Sequence, residues 1–93
     1  MSPKQSILIP RNVSTSTGRA AMRLPPRMWQ AMTELCHRQG ITAGQLVEAA
    51  EAALPTAPRT QAVETYVFAY FLDAATAEGH AAAGHGELHE VVS

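Results

Sequence analysis

The sequence predicts a mainly α-helical subunit that has one short strand and three helices. Two observations predict this class. Residues 18–24 alternate between two kinds of side chain with the period of a strand, and three stretches with helical spacing of apolar residues follow. Because a lone strand of about six residues is not stable by itself, we expect two copies to pair their strands into an antiparallel ribbon, forming a homodimer.

Length, cysteine content and hydropathy limit the class of protein. The 93 residues fit one domain, and a chain of this size buries only a modest core, so oligomerisation would help. The single cysteine, Cys36, excludes an intrachain disulfide and suits a reducing compartment. No apolar run approaches the roughly 18 residues that span a membrane. These features predict a cytoplasmic protein without a membrane segment.

Charge is segregated along the chain. Residues 1–38 hold six of the seven basic residues and one of the eight acidic ones, for a formal charge of +5, whereas residues 39–93 have a formal charge of −6. The overall charge of −1 therefore conceals a basic N-terminal part, which indicates an anion-binding face. Uneven surface charge without a binding role is the alternative.

The strand follows a polar N-terminal segment. We expect residues 1–17 to form a flexible arm, because Pro10 interrupts the apolar residues 7–9 and loop-forming residues follow. Residues 7–9 are also able to add a flanking strand. The main strand is predicted over residues 19–24. One of its faces has Ala20, Met22 and Leu24, and the other has Arg19, Ala21 and Arg23.

Two helices with clear boundaries come next. The first is predicted over residues 26–39, because Pro26 is tolerated in a first turn and Gly40 is suited to the position beyond the end. The second is predicted over residues 43–54. Its start has a capping box and a hydrophobic staple, formed by Thr42 with Gln45 and by Ile41 with Leu46.

The third helix contributes most of the aromatic residues. It is predicted over residues 60–77, with Val63, Val67 and Phe71 four apart on one face. We expect residues 78–93 to form a loose acidic tail, because three glycines disfavour a helix there.

Three segments resemble the ribbon-helix-helix (Arc/MetJ-like) family of dimeric DNA-binding proteins. They are Arg23-Leu24-Pro25 at the strand-to-helix junction, Met28-Trp29 opening the first helix, and Gly40-Ile41-Thr42 before the second. Residues 63–68 are similar to the extra third helix of a bacterial subgroup, so the resemblance covers residues 18–72. It implies a dimeric transcriptional repressor that binds a site in double-stranded DNA, and two-fold symmetry predicts a palindromic or paired half-site.

The resemblance implies a base-contacting role for Arg19, Ala21 and Arg23. An antiparallel ribbon fits the major groove, where arginine pairs bidentately with guanine. Ala21 departs from the family pattern, which usually has a polar residue there, and offers only a methyl group to thymine. A solvated strand face is the alternative. Phosphate contacts are expected from free N–H groups at the start of the second helix and from one basic side chain; the residues are Thr42, Ala43, Gly44 and Arg27.

The remaining residues favour no catalytic role and no cofactor. The sequence has no glycine-rich phosphate loop and no nucleophile elbow, so we expect no enzyme activity. Trp29 and Cys36 lie on the apolar stripe of the first helix and are expected in the core. His80, His85 and His89 are loosely spaced among glycines, so no metal site is expected. The alternative function is a small helical dimeric adaptor, or an antitoxin, whose acidic C-terminal half binds a protein partner.

Overall fold

The hairpin and three helices of this protein form a small, mainly helical fold. A computed structural model describes residues 7–83, with side chains for residues 7–77. The elements are β1 (Ile9–Thr15), β2 (Gly18–Leu24), α1 (Pro26–Gln39), α2 (Ala43–Ala53) and α3 (Arg59–Ala83). The mainly helical class is therefore confirmed, with one strand more than expected.

β1 corrects the expectation of a flexible arm over residues 1–17. It pairs antiparallel with β2 of the same chain, across a turn at Ser16 and Thr17. The register runs from Ile9 opposite Leu24 to Thr15 opposite Gly18. Pro10 does not end the strand, because an edge strand accommodates proline where no N–H donor is needed. β2 therefore has a partner within its own chain, and residues 1–6 lie outside the described residues.

One face of the hairpin, the inner face, packs on the helices. The predicted alternation in β2 is confirmed, since Ala20, Met22 and Leu24 are buried. Val13 of β1 is also buried and lies directly opposite Ala20. These four side chains anchor the hairpin to the core, which leaves its other face to solvent.

α1 begins and ends at the predicted residues. Gly40 follows it with a left-handed φ of 67°, a conformation that favours glycine. Trp29 is buried, as predicted, and its Nε1 donates a hydrogen bond of 2.9 Å to the carbonyl oxygen of Ile9. This bond ties α1 to the first residue of β1. Cys36 is half-buried.

The predicted capping box starts α2. The Thr42 hydroxyl accepts a hydrogen bond of 3.1 Å from the Gln45 N–H, and the Gln45 side-chain oxygen accepts one of 2.9 Å from the Thr42 N–H. Three apolar side chains of the helix are fully buried: Leu46, Val47 and Ala50. The start of α2 is therefore held in place both by its cap and by its core face.

α3 is longer than predicted. It runs to Ala83, which corrects the expectation that a loose tail begins at residue 78. The alanines at 81–83 have the highest helix propensity and offset the glycine at position 79. Residues 84–93 of the expected tail lie outside the described residues.

α3 packs mainly on α2. Val63 and Val67 are buried as predicted, and Ala62 is buried beside them. Phe71 of the predicted face is only partly buried. Tyr70 and Phe71 pack at the edge of this core, with their ring centroids 5.0 Å apart in an edge-to-face arrangement. Within residues 7–83, α3 and the other helices are all too short or too polar to cross a membrane.

Candidate nucleic-acid interface

The hairpin has a second face, the outer face, that points away from the helices. Directly opposite residues of an antiparallel pair share a face, so the register assigns three residues of each strand to it. All six are exposed. They are Pro10, Asn12 and Ser14 on β1, and Arg23, Ala21 and Arg19 opposite them on β2. The three predicted base-contacting residues therefore lie on one exposed surface, joined by three residues of β1.

Arg19 and Arg23 are the charged residues of the outer face. They lie four residues apart on β2, about 13 Å at a rise of about 3.3 Å per residue. The ion pairs among the described side chains lie on the helices: Arg38 with Glu34, and Arg59 with Glu51. Both guanidinium groups of the outer face are therefore available to an anionic ligand or to base edges.

The start of α2 lies against β1, on the side away from β2. Gly44 packs so closely that an added Cβ would clash with the backbone carbonyl oxygen of Ser14. Thr42 and Ala43 are exposed, whereas Gly44 is buried beneath β1. An open cleft of about 490 Å³ is lined by both elements and includes Asn12. The predicted phosphate-contacting residues of α2 thus border β1 and not β2.

Two further arginines of the basic half lie off the outer face. Arg11 belongs to the inner face by register, and its guanidinium carbon lies 5.2 Å from the centre of the Trp29 ring. This cation–π contact supports the packing of β1 on α1. Arg27 is exposed in the first turn of α1, three residues beyond the end of β2. Of the predicted phosphate-contacting residues, Arg27 is thus the one that lies neither at the start of α2 nor on the hairpin.

Glu48 anchors the turn of the hairpin to α2. The hydroxyl and the backbone N–H of Ser16 each donate a hydrogen bond of 2.6 Å to Glu48 Oε2. These bonds, first that of the hydroxyl and then that of the backbone, lower the pKa of Glu48 below its ordinary value. Sequence reasoning misses this pair, because the two residues are 32 positions apart and belong to no motif.

Sequence reasoning also misses Asn12 and Ser14 as surface residues of a strand. The signal that could have found them is the period-two pattern in which both alternate with Val13, just ahead of the turn at Ser16 and Thr17. Pro10 obscures that signal, since a proline normally argues against a strand.

The described residues offer no metal-binding cluster. Among the side chains of residues 7–77, no three His, Cys, Asp or Glu residues come together in a group that could hold a metal ion. The side chains of His80, His85 and His89 lie outside the described part of the chain. Burial raises the pKa of the Cys36 thiol, which disfavours the reactive thiolate.

Comparisons with protein-family models, with curated proteins and with solved structures found no match to this chain.

Proposed function

We propose that this protein is a sequence-specific DNA-binding protein that contacts the major groove with the outer face of its hairpin and acts as a transcriptional repressor. The observation that carries the proposal is the exposed outer face itself. It is a two-stranded antiparallel ribbon that presents Arg19 and Arg23, neither of which has an ion-pair partner among the described side chains. The major groove admits a two-stranded ribbon, and in the dimer proposed below the two β2 strands form the central ribbon that enters it.

The three residues of β2 on this face have distinct roles in the proposal. Arg19 and Arg23 donate bidentate hydrogen bonds to guanine O6 and N7, each typically contributing about 1–3 kcal/mol of discrimination. Ala21, between them, contacts a thymine methyl group. The helix start supplies the sequence-independent contacts, through Thr42 and the N–H of Ala43. Gly44 contributes by letting this helix start approach β1 closely.

We propose further that the protein acts as a homodimer joined at β2. The edge of β1 is packed against α2 at Gly44, whereas the edge of β2 away from β1 has no strand beside it among the described residues. Antiparallel pairing of two β2 strands would place both copies of Arg19 and Arg23 in the middle of a four-stranded sheet. Two-fold symmetry then requires a palindromic or paired half-site.

Binding to a duplex pool tests the proposal. Fluorescence anisotropy with a randomised duplex at two salt concentrations should show binding that weakens steeply with salt, because each neutralised phosphate releases counterions. Sequencing of the selected fraction should reveal a symmetric motif. Arg23→Ala should weaken binding to that motif more than binding to random duplex.

Arg38→Ala is the matched control, because it removes the same charge from an ion pair on α1. We expect it to leave sequence preference unchanged. Absence of binding by the wild-type protein at low salt would refute the proposal. If Arg23→Ala weakened binding to both duplexes by the same factor, Arg23 would contact a phosphate and not a base.

A protein-binding function is the second candidate, and one observation favours it. Phe68 and Leu72 lie one helical turn apart on α3, with 65% and 53% of their surface exposed. If the protein is an adaptor or antitoxin, a small basic protein would bind this apolar pair and the acidic C-terminal half. Co-purification of such a protein, lost in Phe68→Ser, would support this function. A wild-type protein that binds DNA with no partner present favours the first proposal.

A further inference from the structure

We propose that β1 contacts the sugar–phosphate backbone of the same DNA, through the side chains of Asn12 and Ser14. This inference rests on the proposed DNA binding and assigns β1 a different class of contact from β2. Both residues are exposed, uncharged and on the outer face. They are the polar side chains of β1 on the same face as the two arginines of β2.

The position of β1 in the fold supports this assignment. On one side, Asn12 lies opposite Ala21 and Ser14 lies opposite Arg19. On the other side, the Ser14 carbonyl oxygen meets Gly44 at the start of α2. β1 therefore lies between the proposed base-contacting strand and the proposed phosphate-contacting helix start. A duplex that contacts both has to pass over Asn12 and Ser14.

The width of the major groove supports the same position of β1 beside the phosphates. Neighbouring strands are about 4.8 Å apart, so the four backbones of a β2-paired dimer span about 14 Å. The major groove is about 12 Å wide. The two central strands fit between the groove walls, and each β1 strand lies at a wall, where the phosphates are.

The chemistry of the two side chains suits this location. An asparagine amide and a serine hydroxyl both donate hydrogen bonds to phosphate oxygens. The short side chain of Ala21 leaves the Asn12 amide unobstructed from across the ribbon. Because neither donor is charged, these contacts should add affinity without adding to the salt dependence of binding.

Substitution of Asn12 tests the inference. Asn12→Ala should raise the Kd for the selected motif and for random duplex by the same factor. Each lost hydrogen bond to a charged group contributes about 10-fold, so a dimer that loses one in each subunit should bind about 100-fold more weakly. The slope of log K against log salt should not change. Asn12→Lys should tighten binding to both duplexes and steepen the slope by about 0.9 per subunit. Thermal denaturation of each variant checks that it folds.

Thr65→Lys is the matched control, since Thr65 is exposed on α3 and the change in charge is the same. Its effects on the affinity and on the salt slope should both be smaller than those of Asn12→Lys. Equal effects of the two lysine variants would overturn the inference. A changed motif for Asn12→Ala would overturn it too, by showing that Asn12 contacts a base.

Neutral methylphosphonate substitution in the DNA provides an independent readout. Replacing the phosphates that border the selected motif should weaken wild-type binding more than Asn12→Ala binding. An equal loss for both proteins would contradict the inference. Wild-type protein that binds no duplex at low salt would instead refute the proposed function, so the two failures are distinguishable.

Discussion

Replacement of Gly44 by alanine tests the contact that joins α2 to the hairpin. The added Cβ would clash with the Ser14 carbonyl oxygen and would lie 3.2 Å from Thr15 Cα. Both obstacles are backbone atoms, so no change of rotamer relieves them. α2 and β1 must therefore move apart, and the cap at Thr42 moves with α2.

The expected change in the free energy of unfolding is the difference between two opposing effects. Forcing an extra carbon into a packed contact typically costs about 1–3 kcal/mol. The higher helix propensity of alanine offsets about 1 kcal/mol of this. We therefore expect Gly44→Ala to lower the free energy of unfolding by up to about 2 kcal/mol, and each 1 kcal/mol lowers the Tm of a domain of this size by about 4–8 °C.

Urea denaturation measures this effect. Wild type and variant are compared at one protein concentration, because the stability of the proposed dimer would depend on concentration. Ala52→Gly, at an exposed position of α2, reports the propensity effect alone and should lower the stability by about 1 kcal/mol. If Gly44→Ala raised the stability by the propensity effect alone, the close approach of α2 to β1 would be refuted.

Three further predictions concern the core and the turn. Glu48→Gln should destabilise the protein at neutral pH. Because folding lowers the pKa of the Glu48 carboxyl, the greater stability of the wild type should be lost as the pH falls below about 4. A difference in stability that does not depend on pH would contradict the hydrogen bonds to Ser16. Trp29→Phe should lower the free energy of unfolding by about 1–2 kcal/mol through loss of the hydrogen bond to Ile9, and unchanged stability in urea would argue against that bond. The Cys36 thiol should react with a disulfide reagent at pH 8 more slowly in the native than in the urea-unfolded protein, and equal rates would refute its burial.

The elements that carry local signals could be predicted from sequence. Thr42 and Gln45 form the predicted capping box because its hydrogen bonds involve residues only three apart. Gly40 marks the end of α1 for a similarly local reason, the need for a left-handed φ. The period-two alternation identified the buried face of β2, and the apolar stripe of α3 identified Val63 and Val67 but not Ala62.

The partner of β2 could not be predicted in the same way. A pattern of period two indicates a strand but does not identify the strand beside it, and Pro10 argued against one at residues 9–15. The same limit applies to the candidate interface. The spacing of Arg19 and Arg23 placed them on one strand face, and the family resemblance implied their base-contacting role. Asn12 became a candidate only through the register that places it opposite Ala21.

The two-residue turn at Ser16 and Thr17 has a consequence for the order of folding. Strands joined by so short a connection have low contact order, and isolated hairpins form in about 1–10 μs, far faster than subunits meet at micromolar concentration. The outer face should therefore be complete in each monomer before any dimer forms. Dilution of the proposed dimer would then separate subunits whose hairpins are already formed, so the rate of reassociation should be set by diffusion and not by refolding of the hairpin.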